Sequence, residues 1–418
     1  MKASNTHLRK SCDTWILPMM VFVSVGLLIA VGVASFGFSS RAQATNTPTP
    51  DPALTGHFGR MFRNLPPFAP PTDAVRDALM QLGQPGGIMD ANDDLAAGPE
   101  ALITDPNLSL INRNNPADTA GVTFLGQFID HDMTFDQRSR LGFPTQPIIT
   151  QNARTCFFDL DSVYAGGPGG NPELFDPNDP IKFVVESGGQ FEDLPRDPIN
   201  HVAIIGDPRN DENMMIGGLH AAVLLFHNHA VELIRSQNPG IPDNEAYLQA
   251  RRLTVWHYEW VILHEFLPHV VPQWVIDDVL TNGRHFYNPL HNQAFIPVEF
   301  QITYRFGHSM VRPSYRANLQ GDNGQPFFGM IFDPAGEGSP DPVDLRGGVR
   351  APRRFIGWQT FFDFGGVYSA DVRPNKRIDT IVSTPLFHLP LGTIFNGMPP
   401  DSLMQRNLLR CLTWQLPS

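Results

Sequence analysis

Cysteine is scarce in this 418-residue chain: there are three, Cys12, Cys156 and Cys411, and none forms a CxxC or CxxCH pattern. Their spacing excludes a disulfide scaffold, a cysteine zinc site and a thioether-attached cofactor. If the N-terminal segment is removed, Cys156 and Cys411 allow at most one internal disulfide, and the sequence leaves its formation open. Basic clusters are lacking as well: 30 Lys and Arg stand against 42 Asp and Glu, for a formal charge of -12, with nothing denser than short pairs such as Arg251-Arg252. Nucleic acid is therefore not an expected partner. There is no long acidic run, no internal repeat and no Arg-Gly-Asp tripeptide. With 42% hydrophobic and 17% charged residues, the chain is not compositionally disordered and can bury one large core or two modest ones.

One long uncharged run does occur, Trp15 to Ser40, preceded by Lys2, Arg9 and Lys10 and followed by Arg41-Ala42-Gln43-Ala44. A basic start, an apolar stretch and an A-x-A end describe an export signal over residues 1–44, with cleavage expected after Ala44. The run is also long enough to span a bilayer, so a retained membrane anchor is the alternative. Either way the remainder is expected outside the cytoplasm: secreted, periplasmic or extracellular, or tethered to a membrane. Residues 45–71, rich in Pro, Thr and Asn, suit a spacer, and 72–418 form the expected domain.

Within that domain helical patterns alternate with Pro/Gly/Asp-rich connections, and the 39 prolines and 36 glycines fit many loops. The clearest helix is predicted over Asp207–Arg235, with Asp207 as N-cap, Pro208 at the first position and an apolar stripe from Met215 to Ile234. A second is predicted over Asp243–Leu267, ending before Pro268, and shorter ones around Gly121–Phe135, Val298–Arg312 and Ser402–Leu412. The fold class expected is mainly α.

Four segments carry chemistry. In Gly126-Gln127-Phe128-Ile129-Asp130-His131-Asp132, helical spacing puts Gln127 and His131 on one face with Asp130 beside them, while Asp132 points elsewhere. A neutral His on such a face can take a proton from one peroxide oxygen and deliver it to the other; taken alone, the pair is more often polar packing. In Asp207-Pro208-Arg209-Asn210-Asp211-Glu212, Arg209 and Glu212 sit three apart. That suits an intrahelical ion pair, or an arginine that stabilises charge as a bond breaks. In Tyr304-Arg305-Phe306-Gly307-His308, Gly307 permits close approach of a flat ligand beside an imidazole that can bind iron, and Asn407 could accept the other ring N–H. In Thr155-Cys156-Phe157-Phe158-Asp159-Leu160-Asp161, oxygen donors at 155, 159 and 161 and the carbonyl of 157 alternate as a loop wrapping a hard cation requires. If Asp132 completes that shell, the ion ties the loop to the helix bearing His131.

These segments, in this order, resemble the animal-type haem peroxidases, over about Asp118 to Arg410. The resemblance implies a helical domain with haem b between distal and proximal helices, braced by calcium, that reduces hydrogen peroxide and oxidises halide, thiocyanate or a small aromatic donor. It implies Gln127, His131 and Arg209 as the distal catalytic groups, and Asp130 and Glu212 as carboxylates that can esterify haem. His308 falls on the iron ligand, Arg305 on a haem-propionate partner and Asn407 on the hydrogen-bond partner of His308. Asp132, Thr155, Phe157, Asp159 and Asp161 fall on the calcium ligands. Where myeloperoxidase has a methionine linked to haem, this chain has Asn213, so no third covalent link is expected. Family members usually continue further beyond the Asn407 helix than this chain, which suggests a shortened form.

Some signals are set aside. His264-Glu265-Phe266-Leu267-Pro268-His269 resembles a metalloprotease site, but its second His is five residues on and Pro268 breaks the helix. His227 and His229, two apart on a helix, read as structural. Two other functions remain as alternatives: a fatty-acid dioxygenase resembling cyclooxygenases, and a peroxinectin-like adhesion protein. The dioxygenase needs a Tyr three residues before the proximal His; here that residue is Arg305, and Tyr304, one residue earlier on an α-helix, is expected to face elsewhere.

Overall fold

The computed structural model describes residues 56–187, 191–289, 294–349, 353–394 and 397–418. The expected signal or anchor, residues 1–44, lies outside them. The domain is mainly α, 44% helix against 14% strand. Its principal helices are α1 (Asp73–Leu82), α2 (Pro99–Thr104), α3 (Ala120–Met133), α4 (Met214–Gln237), α5 (Asp243–Val261), α6 (Gln273–Asn282), α7 (Val298–Thr303) and α8 (Leu403–Thr413). The strands of the described residues form five two-stranded pairs. The most extensive is the antiparallel hairpin of Ser314–Asp322 and Gln325–Met330.

Helix α3 lies between two apolar cores. On one side Val122, Phe128 and Ile129 pack with Ile216, Leu224 and Val231 of α4 and with Ala246 and Ala250 of α5. On the other, Phe124 joins Tyr315, Ala317 and Phe327 of the hairpin and Met404 of α8. Burial of this kind contributes about 25 cal/mol per Å² of apolar surface. It fixes α3 along its length and leaves its polar face to the space between the cores.

Several boundaries differ from the sequence expectation. The helix predicted from Asp207 is two elements: a 3₁₀ turn, Pro208–Asp211, capped by Asp207, and then α4 with Asn213 as its N-cap. Arg209 and Glu212 are thus not in the first turn of the long helix. Asn213 ends the first element because its side chain accepts from the Ile216 N–H and starts a new helix. Helix α5 does not stop before Pro268. It runs into a π turn, Ile262–Phe266, and a last turn, Leu267–Val270; the wider turn accommodates the proline. The predicted helix 298–312 is α7 followed by a 3₁₀ turn, Tyr304–Met310. The expected spacer also ends earlier than residue 71. The strand Phe58–Gly59 pairs in parallel with Ile296–Pro297, and Phe58 is buried against Trp414, rings 4.7 Å apart, so apolar burial draws this stretch into the domain.

Candidate functional site

The polar face of α3, the 3₁₀ turns 208–211 and 304–310, and α8 enclose one cavity of about 280 Å³. Gln127, Asp130, His131, Arg209, Glu212, Arg305, Gly307 and His308 all line it, so residues spread over 182 positions of sequence meet in one space. Asn407 reaches it through His308. Asp132 points away from it, as helical spacing predicts.

His131 is buried, and its Nδ1 lies 2.9 Å from the Asn210 side-chain oxygen. That oxygen only accepts, so Nδ1 carries the proton and Nε2 keeps its lone pair. Asn210 in turn donates through Nδ2 to His220 Nδ1 at 3.0 Å, which sets the amide's orientation. Burial, with Arg209 nearby, lowers the His131 pKa to about 3, so the ring is neutral. Arg209 is held from several sides. Nε and Nη2 donate to Asp207 at 3.0 and 2.7 Å, Nη2 also donates to the His131 carbonyl at 2.9 Å, and the guanidinium lies 4.0 Å over the Phe135 ring. Asp207 is fully buried and also accepts from Arg154 Nε at 2.9 Å; the two arginines hold its carboxyl below the usual range. Gln127 Oε1 accepts from Asn213 Nδ2 at 3.0 Å. Burial raises the pKa of Asp130, which accepts from Thr134 Oγ1 at 3.0 Å, while Arg305 and Arg209 oppose the rise.

On the other wall the 3₁₀ turn has three residues per turn, so Arg305 and His308 are stacked on one face. Asn407 bridges them: its Oδ1 accepts from Arg305 Nη1 at 3.2 Å and its Nδ2 lies 2.7 Å from His308 Nδ1. The pairing of His308 with Asn407 is the expected one, but with the amide turned so that nitrogen rather than oxygen faces the ring. Burial lowers the His308 pKa to about 3. Tyr304 also lines the cavity, contrary to the expectation from α-helical rotation, and its hydroxyl donates to the Gly126 carbonyl at 3.1 Å.

The segment 155–161, the candidate cation loop, folds against Asp132. Carboxylate oxygens of Asp132, Asp159 and Asp161 lie within 4.8 Å of one another. Thr155 Oγ1 donates to Asp159 Oδ1 at 2.9 Å and lies 3.3 Å from the Phe157 carbonyl. Leu160 adopts a left-handed φ of +57°, an uncommon conformation for a branched residue. It turns the loop so that the Leu160 and Ser162 N–H groups donate to Asp132. Burial and mutual repulsion raise the Asp132 pKa strongly, and burial raises that of Asp161 to about 6.

Sequence reasoning missed Asn210, His220, Asp207 as a counter-ion, and Arg154. It also missed Arg406 and Arg410, which add positive charge to the cavity wall beside Arg305. Asn210 and Asp207 flank Arg209 in the motif itself, and Arg410 is three residues after Asn407 on α8, one helical turn away. Cys156 and Cys411 are both free. His227 is a core histidine, bonded to Tyr164 and to the Ile181 carbonyl, and His269 pairs with Asp118, so neither forms a second centre.

The domain is thus mainly helical, with His131 and His308 facing one cavity beside a carboxylate loop. Residues 146–335 match the animal haem peroxidase family model, a span holding the cation loop, Arg209, Glu212, Arg305 and His308. Peroxidase A of Dictyostelium discoideum superposes with a TM-score of 0.50 at 16% identity, over 79% of this chain and 70% of that one. The human probable oxidoreductase PXDNL is 25% identical over 49% of this chain and 15% of its own length. Mouse eosinophil peroxidase is 26% identical over 39% of this chain and 25% of its own. Over residues 146–335 the chain is thus similar to the animal haem peroxidase domain. It spans a quarter or less of the length of these two sequence relatives.

Proposed function

We propose that the protein is a haem peroxidase that reduces hydrogen peroxide and oxidises a halide, thiocyanate or a small aromatic donor. One observation carries this reading: a single cavity is lined by a neutral, tautomer-fixed His131 and by a second neutral imidazole, His308, held by Asn407. The cavity suits haem b. A side chain added at Gly307 would enter open space, leaving room for a flat group against the backbone beside His308. His308 would supply the iron ligand, and Arg305 would meet a propionate. Asp130 and Glu212, both on the wall, would supply ester links. Calcium would take the carboxylates of Asp132, Asp159 and Asp161 with Thr155 Oγ1 and the Phe157 carbonyl.

When bound, haem supplies the iron at which peroxide is cleaved and the oxidising equivalents that a donor consumes. His131 Nε2 accepts the proton of one peroxide oxygen and returns it to the other, which departs as water. The low pKa keeps this base free across ordinary pH. Arg209, fixed by Asp207, stabilises negative charge as the O–O bond breaks, and Gln127, steadied by Asn213, orders water or halide. With His308 Nε2 holding the iron, the ring proton would sit on Nδ1, the Asn407 amide oxygen would be placed to accept it, and Arg305 would be left to meet a propionate.

We further propose that this chemistry takes place outside the cytoplasm, on the strength of the basic, apolar and Ala-x-Ala order of residues 1–44. The test is peroxide consumption by the purified, haem-loaded protein with bromide, iodide or thiocyanate. Turnover that depends on the donor supports the reading, and no turnover with any donor overturns it. Tyr304 in the same cavity favours a second reading, the fatty-acid dioxygenase. Oxygen uptake with linoleate in the absence of peroxide would establish it instead. Haem that resists acid–organic extraction supports the ester links; haem that extracts readily refutes them.

A further inference from the structure

The two distal groups are tied to the cation loop by separate arms. The first is Asp132, which follows His131 on α3. The second runs through buried charges. Arg154 Nη1 lies 3.7 Å from Asp161 Oδ2, its Nε donates to Asp207 Oδ2 at 2.9 Å, and Asp207 binds Arg209 through both oxygens. Arg154 therefore stands between a loop carboxylate and the counter-ion of Arg209, within reach of both. Asp161 Oδ1 is buried with no hydrogen-bond partner, so this carboxylate has capacity that Arg154 does not fill.

We propose that Arg154 and Asp207 are positioning residues that couple occupancy of the cation loop to the charge Arg209 presents to the cavity; this rests on reading the loop as a calcium site. A cation on Asp161 repels Arg154 and turns it fully onto Asp207. Asp207 is then shared between two guanidinium groups, and Arg209 keeps more of its positive charge for an anion in the cavity. With the loop empty, Arg154 divides itself between Asp161 and Asp207, and Asp207 neutralises Arg209 more completely. Coupling of this kind is reciprocal.

The two residues have opposite expected signs. Arg154→Gln removes a charge that competes with calcium, so calcium binds at least threefold tighter. Asp207→Asn releases Arg154 onto Asp161, so calcium binds at least threefold weaker. A merely structural role predicts weaker binding for both. Calorimetric titration of calcium into chelator-treated full-length protein reads this without involving haem; unchanged or weaker binding by Arg154→Gln overturns the proposal. If Arg154→Gln does not fold, Asp207→Asn decides, and unchanged or tighter binding overturns. On haem-loaded protein, calcium should tighten cyanide binding about threefold in the wild type and leave it unchanged in either variant. Equal wild-type affinity with and without calcium contradicts the coupling. Opposite calcium shifts in a protein that takes up no haem would sink the peroxidase reading and leave the coupling standing.

Discussion

His131 and His308 line the same cavity, yet their walls are built differently. His131 sits on a 14-residue helix packed between two apolar cores, and its ring is fixed through Asn210 and His220. The Arg209 beside it is pinned by Asp207, the His131 carbonyl and Phe135. His308 sits in a seven-residue 3₁₀ turn, steadied by an Asn407 amide that also serves Arg305. A proton-transferring base must be in its working tautomer and position before peroxide arrives. A metal ligand is oriented in part by the bond it forms, so its support can remain adjustable until that bond exists.

The difference predicts distinct losses. His131→Ala is expected to slow the reaction with peroxide by roughly 100- to 10,000-fold while haem stays bound. His308→Ala is expected to lose haem itself; stopped-flow kinetics and haem absorbance separate the two. One step further out, Asn407→Ala should weaken haem retention by about 10- to 100-fold, the usual cost of removing a group that orients a metal ligand. Asn210→Ala should instead slow peroxide reduction with haem affinity unchanged. If both Asn variants fail in the same way, the two walls are not distinct in kind.

With calcium in the loop, as proposed, its removal should loosen the distal wall first, because Asp132 is on α3 and the Arg154 arm leads to Arg209. At a calcium concentration of about 100 Kd the bound ion stabilises the fold by about 2.7 kcal/mol. Chelation should lower the melting temperature accordingly and increase hydrogen exchange in α3 before the 304–310 turn. A separate contrast concerns pH. Burial lowers His220 and His227 to pKa values of about 4. At these two rings the unfolded chain binds more protons than the folded one between about pH 4 and 6.5, so their contribution to stability falls as pH drops through that window. Each ring contributes a slope of up to about 1.4 kcal/mol per pH unit. Urea unfolding of the wild type and of His220→Gln at several pH values checks this: the variant should lose less stability as pH drops through the window, and identical pH dependence contradicts it.

Much of the site was legible because its residues lie in short motifs whose spacing survives folding. Gln127 and His131 are one α-helical turn apart, and the alternating donors of 155–161 form a loop without distant help. What was not legible depended on contacts between elements. The Arg154–Asp207 pair and the Asn210–His220 bond join residues whose partnership no periodicity reveals. The break between Pro208–Asp211 and α4 also escaped a reading based on one continuous stripe, because Asn213 serves both as N-cap and as partner of Gln127. The hairpin of residues 314–330 had a readable signal that the helical pattern obscured. Asn323-Gly324, both at positive φ, is the pair a tight two-residue turn requires.

The assignment of His131 as base and His308 as ligand is tested most directly by resonance Raman spectroscopy of the ferrous, haem-loaded protein. The account predicts an iron–imidazole stretching band in the wild type and in His131→Ala, and its disappearance in His308→Ala. A band that survives in His308→Ala, or vanishes in His131→Ala, would contradict it.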